Sequence, residues 1–181
     1  MVAGAAAGAG LYIGMATGRV SVDLGVGRRR RPLGPLEVRF HAPPEVVFDV
    51  IAAPYLHPTP RAMAQKLRVL ERGTDLVLAE HYTPVRWGLS TTTVETVRFN
   101  RPHRIDFRLT RGPVPSVVET FELMADGGGT TLRYSGELQT DLWRLGAFWG
   151  HIVANRWVAA VEASLSSTKA EAERRARLGS L

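Results

Sequence analysis

The chain predicts an α+β fold: a seven-stranded antiparallel sheet covered on one face by a long C-terminal helix, with two short helices between the first and second strands. Three features predict it. Between Lys66 and Asp141, apolar and polar residues alternate in six successive segments joined by turn-forming residues, with no helical period among them. Beyond Asp141, residues 142–178 contain no proline, and their apolar residues recur at spacings of three and four. Ahead of the six strands, an alternating segment at 36–40 runs into Ala42-Pro43-Pro44-Glu45, a favourable helix start.

Taken in order, Leu36-Glu37-Val38-Arg39-Phe40 alternates as a strand. In the helix that follows, Glu45 and Asp49 suit the positive N-terminal end, and Val46, Val47, Val50 and Ile51 give it an apolar side. Pro54 is expected to stop it, 54–60 to form a Pro/His loop, and 61–65 to make the second short helical turn. The six strands are expected at 66–72, 75–83, 89–99, 104–111, 116–124 and 130–139. Turns fall at Gly73-Thr74, Trp87-Gly88, Asn100-Arg101-Pro102, Gly112-Pro113 and Asp126-Gly127-Gly128-Gly129. Ile105, Phe107 and Leu109 face one way and Asp106, Arg108 and Thr110 the other, so one face of the sheet is dry and one wet. Asp141 has the chemistry of an N-cap for the last helix. Leu142, Leu145, Phe148, Trp149, Ile152, Val153, Trp157, Val161 and Leu165 form its apolar stripe, which fades into a Glu/Arg tail.

A length of 181 residues suits one domain with short appendages, and the absence of cysteine excludes disulfides, thiolate metal sites and cysteine nucleophiles. The formal charge of +6 sits at the ends: residues 1–31 carry +4 and 169–181 carry +2, so 32–168 is neutral. A neutral body matches a phosphate backbone poorly, and no nucleic-acid partner is expected. Residues 2–18 are uncharged but consist largely of Ala and Gly, and Arg19 and Arg28-Arg29-Arg30-Arg31 follow them. Two readings stand: a membrane anchor that leaves the domain at the cytoplasmic, inner face, or a disordered Ala/Gly leader. Gly27–Pro35 reads as a linker from its Pro, Gly and Arg content.

The run Phe40-His41-Ala42-Pro43-Pro44-Glu45-Val46-Val47-Phe48-Asp49-Val50-Ile51 resembles the front of the START/Bet v 1-like (SRPBCC) superfamily of polyketide cyclase/dehydrase and lipid-transfer proteins. Val118-Glu119-Thr120-Phe121-Glu122-Leu123, the Gly127-Gly128-Gly129-Thr130-Thr131-Leu132 hairpin and the Trp-rich final helix carry the rest of the likeness. The resemblance covers about residues 36–172, leaving 1–35 as an N-terminal segment and linker and 173–181 as a charged tail. It implies a helix-grip fold in which a curved sheet wraps the long helix around an apolar cavity. It also implies a hydrophobic ligand, and it implies no cofactor.

Within that frame, candidate ligand-binding residues are Phe107, Glu119, Phe121, Tyr134, Phe148, Trp149, Ile152 and Trp157, each equally readable as core. Gly146 and Gly150, one turn apart, either admit close backbone approach or make room for a ligand. Glu119 shares strand parity with Val117, Phe121 and Leu123, which aims a carboxylate at the dry face and raises its pKa unless a cation meets it. Glu119, His81, Tyr82 and His57 are the acid/base candidates, with only one of the adjacent His81 and Tyr82 able to face inward. The five histidines show no metal-ligand spacing. Binding or transport of a lipid, isoprenoid, quinone or polyketide-like molecule is the first expectation, and a cofactor-independent cyclase or dehydratase the alternative.

Overall fold

A computed structural model describes residues 2–58, 65–84 and 88–179, with side chains from Ala9 onward. A helix, α1 (Val2–Ala16), leads through an irregular strap at 17–28 to β1 (Arg29–Phe40) and α2 (Pro44–Leu56). The strands β2 (Leu67–Arg72), β3 (Leu76–Pro84), β4 (Ser90–Asn100), β5 (Arg104–Arg111), β6 (Ser116–Asp126) and β7 (Gly129–Thr140) follow, and α3 (Trp143–Gly179) closes the chain. The expected helical turn at 61–65 and the turn at Trp87 lie outside the described residues, apart from Gln65 in a turn.

All seven strands form one antiparallel sheet in the order β1-β7-β6-β5-β4-β3-β2. Consecutive strands are neighbours throughout the meander, and β1 joins it by pairing with the last strand. Asp126 pairs with Gly129 across Gly127 and Gly128, both at positive φ (53° and 90°). That two-residue turn needs left-handed backbone at both central positions, where a Cβ is unfavourable. Ile105, Leu123, Leu132, Tyr134 and Leu138 are fully buried on the inner face. Val47 and Phe48 of α2 and Val153, Ala154, Leu165 and Ala172 of α3 pack onto the same core.

The expected linker is in large part strand. Arg29 pairs with Thr140 and Leu33 with Gly136, and Leu33 is buried in the core. A register shift between Leu33 and Leu36 takes up Gly34-Pro35, placing the residue without an N–H where the ladder is already broken. Pro54 does not end α2 either. It falls in the last turn, where it removes only its own N–H, and His57 N–H closes the helix on the Ala53 carbonyl at 3.1 Å.

Asp141 is not the N-cap of α3. Leu142 and Trp143 both adopt left-handed backbone (φ 68° and 48°), which turns the Asp141 side chain away from the helix and toward the strap. Its Oδ2 accepts the Leu24 and Gly25 N–H groups at 2.6 and 2.7 Å, and Arg28 Nε donates to Oδ1 at 2.8 Å. The Leu142 and Trp143 N–H groups donate in turn to the Val26 and Gly27 carbonyls, both at 2.9 Å. Arg28 holds the buried Asp141 carboxyl down at about 2. The N-terminal strap is therefore stitched to the junction of β7 and α3.

The α3 stripe is wider than the surface it covers. Gly146, Gly150 and Val153 face the sheet, while Leu145 and Phe148 are 75% and 69% exposed and Ile152 lies at the edge. A Cβ on Gly146 would lie 1.6 Å from the Asp141 carbonyl oxygen, and one on Gly150 would lie 3.0 Å from Thr140 Cγ2. Close approach of α3 to the end of β7, not ligand space, accounts for both glycines. No helix among the described residues is long and apolar enough to cross a membrane.

Candidate functional site

Residues on the inner face of β3, β4, β6 and β7 build a polar row inside an aromatic lining. Strand alternation brings Glu119 inward beside Val117, as expected, and it is 6% exposed. Its neighbour across the ladder is Gly136, whose missing side chain leaves room: a Cβ there would stand 3.2 Å from Glu119 Cγ. Glu119 Oε1 accepts two hydrogen bonds, from Tyr134 Oη at 2.7 Å and from Trp157 Nε1 of α3 at 2.8 Å. Burial pushes its carboxyl up to about 7, with the charge of Glu95 adding to the shift and the two hydrogen bonds opposing it.

Glu95, on β4, is the second buried carboxyl and is also 6% exposed. Thr93 Oγ1 donates to its Oε1 at 2.7 Å, which only partly offsets burial, and this carboxyl too is raised to about 7. His81 of β3 completes the row. Burial lowers its pKa to about 4, so the ring is neutral at pH 7. Tyr55, at the end of α2, has its pKa raised by burial, keeps its proton and shares a hydrogen bond with His81 Nε2 at 2.9 Å. His81 Nδ1 faces Glu95 Oε2 at 3.4 Å and makes no hydrogen bond.

Where an apolar cavity is expected, aromatic rings cross the inner face. Phe99 lies against Tyr55 (centroids 5.9 Å apart), Tyr55 against Phe107 (5.9 Å), Phe107 against Phe121 (5.3 Å) and Phe121 against Tyr134 (5.1 Å). Phe121 and Trp157 remain only half-buried beside the carboxyls. Two surface grooves lie elsewhere. One, of about 330 Å³, is lined by Arg29–Pro32, Leu138, Thr140, Ala147 and Gly150. The other, of about 410 Å³, lies between α2, Arg101 and Arg175.

Of the expected site residues, the structure brings together Phe107, Glu119, Phe121, Tyr134, Trp157 and His81. It separates the rest. Tyr82 turns to the outer face, where its hydroxyl donates to Glu80 at 2.7 Å, and His57 is exposed at the second groove. Phe148 and Ile152 face solvent. Trp149 is half-buried at the far end of the helix, with its Nε1 donating to the Pro113 carbonyl at 2.8 Å. Glu95 and Tyr55 were not among the sequence candidates. The parity that aims Glu119 inward applies equally to Glu95 with Val97 and Phe99, and Tyr55 lies one and two turns beyond Ile51 and Phe48 on α2.

A sheet gripping a long helix, with buried carboxyls among rings between them, defines a helix-grip protein with a polar inner face. Residues 36–173 match the family described as polyketide cyclase / dehydrase and lipid transport, and the chain belongs to that family, within the START/Bet v 1-like (SRPBCC) superfamily. No curated protein matches the sequence. Among solved structures, the Zhui aromatase/cyclase from Streptomyces sp. R1128 superposes with a TM-score of 0.60 at 19% identity, over 82% of this chain and 95% of its own. The di-domain ARO/CYC BexL from the BE-7585A biosynthetic pathway gives 0.58 at 20% identity over 83% of this chain, which spans about half (50%) of that protein. Ara h 8.0201 gives 0.54 at 14% identity, over 83% of this chain and 98% of its own. At these identities the likeness shows the fold.

Proposed function

We propose that the protein binds an apolar small molecule bearing carbonyl or hydroxyl oxygens, of lipid, isoprenoid, quinone or polyketide-like kind, between the sheet and α3. The observation that carries this reading is the pair of buried carboxyls, Glu95 and Glu119, set among Tyr55, Phe107, Phe121, Tyr134 and Trp157. Buried carboxyls weaken a fold at neutral pH, and groups with such perturbed pKa values concentrate at functional sites. An oxygen-bearing ligand meets in them donors when protonated and acceptors when not. Family membership supports the reading, since the family description spans lipid transport and cyclase chemistry alike.

Native mass spectrometry of protein purified from its own host tests it. A co-purifying apolar molecule, released intact and bound more weakly by Glu119→Gln, is the expected result. The reading fails if no apolar ligand co-purifies and a naphthoquinone titration gives no saturable quenching that Trp157→Phe removes. A second reading, a cofactor-independent cyclase or dehydratase, is favoured by the same carboxyls being held at about 7, where each can give or take a proton. It requires a chemically altered product, whose formation Glu95→Gln or Glu119→Gln abolishes while binding persists.

A further inference from the structure

We propose that α1 and the N-terminal half of α3 form one face that docks on the surface of an anionic lipid bilayer, without spanning it. The apolar half of that face is solvent-exposed in two elements that touch. Leu11, Tyr12 and Ile13 of α1 are each about half-exposed, and Leu145, Phe148 and Ile152 of α3 are exposed beside them. The elements meet where Tyr12 packs edge-on against Trp149, with ring centroids 6.0 Å apart. On α3, positions 145, 148, 149 and 152 fall on one side of the helix, next to the glycine face that the sheet covers. Exposed apolar side chains gathered on two adjoining helices mark an interaction surface.

Charge complementarity names the occupant. On α3 Arg144 borders the apolar side chains, and Arg19 follows α1 in the chain; both are exposed arginines without a carboxylate partner among the described residues. Further round α3, on the side of Ala147 and Gly150, the groove at Arg29–Pro32 adds arginine, and there Arg31 Nη2 contacts His151 Nδ1 at 2.9 Å, not an acid. Apolar side chains bordered by arginine suit a leaflet of acyl chains beneath anionic headgroups. The docking is interfacial. The 15 residues of α1 reach about 22 Å, short of the roughly 30 Å hydrocarbon core. A second copy of the chain has the apolar complement for this face but repeats the same arginines, so like charges would meet at its rim.

Co-sedimentation of the full chain with two kinds of vesicle tests the proposal: phosphatidylcholine alone, and an equal mixture of phosphatidylcholine and phosphatidylglycerol. The full chain is expected on the mixed vesicles and at least tenfold less on the neutral ones. Arg19→Gln and Arg144→Gln should each weaken binding about fivefold. Leu145→Ser with Phe148→Ser should reduce it by tenfold or more, whereas Met124→Ser, on an exposed apolar residue of the β6–β7 hairpin, should leave it unchanged. The proposal is overturned if the full chain stays in the supernatant with mixed vesicles, or if the Leu145/Phe148 variant binds as the parent does. It is equally overturned if sedimentation velocity shows a dimer that the same two substitutions dissociate while vesicle binding is absent. None of these readouts depends on the ligand reading above.

Discussion

Glu119→Gln isolates the electrostatics of the inner face. Glutamine keeps the shape, and its carbonyl oxygen can still accept from Tyr134 Oη and Trp157 Nε1, so the substitution removes chiefly the ability to ionise. The carboxyl sits at about 7 in the folded protein against an ordinary value of 4.5. A pKa raised by folding contributes stability that is fully present below the unfolded value and is lost as pH rises through the folded one. At 1.36 kcal/mol for each pH unit of that interval, Glu119 withdraws about 3 kcal/mol between pH 4.5 and 7. The variant should therefore match the wild type near pH 4.5 and exceed it by about 3 kcal/mol at pH 8. Urea unfolding of both proteins at half-unit steps from pH 4.5 to 8 measures the difference. A difference that does not change with pH, or one that favours the wild type at pH 8, refutes the placement of an ionisable Glu119 in a dry site.

His81 runs the other way: its pKa is lowered to about 4, so its stabilisation is present above 6.5 and lost as pH falls, and His81→Asn should flatten the acid limb in the same titration. Gly146→Ala drives a Cβ into the Asp141 carbonyl and should cost at least about 2 kcal/mol, whereas Gly150→Ala, meeting the side chains of Thr140 and Leu138 and no backbone, should cost no more than about 1 kcal/mol in denaturant unfolding. Asp141→Asn removes the charge that holds Arg28 and the Leu24 and Gly25 N–H groups, and should cost about 1–3 kcal/mol. Hydrogen exchange localises that last effect: faster exchange at Leu24 and Gly25 is expected, and unchanged rates there count against the stitched strap.

Strands, the long helix and the inward aim of Glu119 are legible in the sequence because each depends on a local period. From β3 to β7 the alternation of two survives almost unbroken, and α3 keeps its spacing of three and four as far as Leu165. Asp141 shows where local reading ends. Its residue type and position satisfy an N-cap, yet the left-handed backbone at Leu142 and Trp143 hands its carboxylate to residues more than a hundred positions earlier. Only tertiary contact specifies that choice. The helix stripe misleads for a related reason: amphipathic spacing says that Leu145, Phe148 and Ile152 share a side, but the two glycines decide which side reaches the sheet. Arg29–Pro35 reads as linker because arginine and proline are poor strand formers, and it becomes strand because β7 offers an unpaired edge and Leu33 a core position.

The inner face and the strap make opposite use of the same residue type. Asp141 is buried with a guanidinium and two backbone N–H groups around it, so its charge is retained and its burial strengthens the fold above acid pH. Glu95 and Glu119 are buried with no cation in contact among the described residues: their hydrogen-bond donors there are one threonine, one tyrosine and one indole. Together they withdraw several kcal/mol at neutral pH from a fold whose whole margin is typically 5–15 kcal/mol. A structural account of the pair would need a compensating partner, and the nearest base, His81, is itself kept neutral by burial. Such a cost fits a site that a second molecule completes. A ligand hydroxyl or carbonyl hydrogen-bonded to a carboxyl or to His81 Nδ1, the one buried polar atom without a partner among the described residues, would offset part of that cost, which ties the electrostatics of the row to the proposed binding.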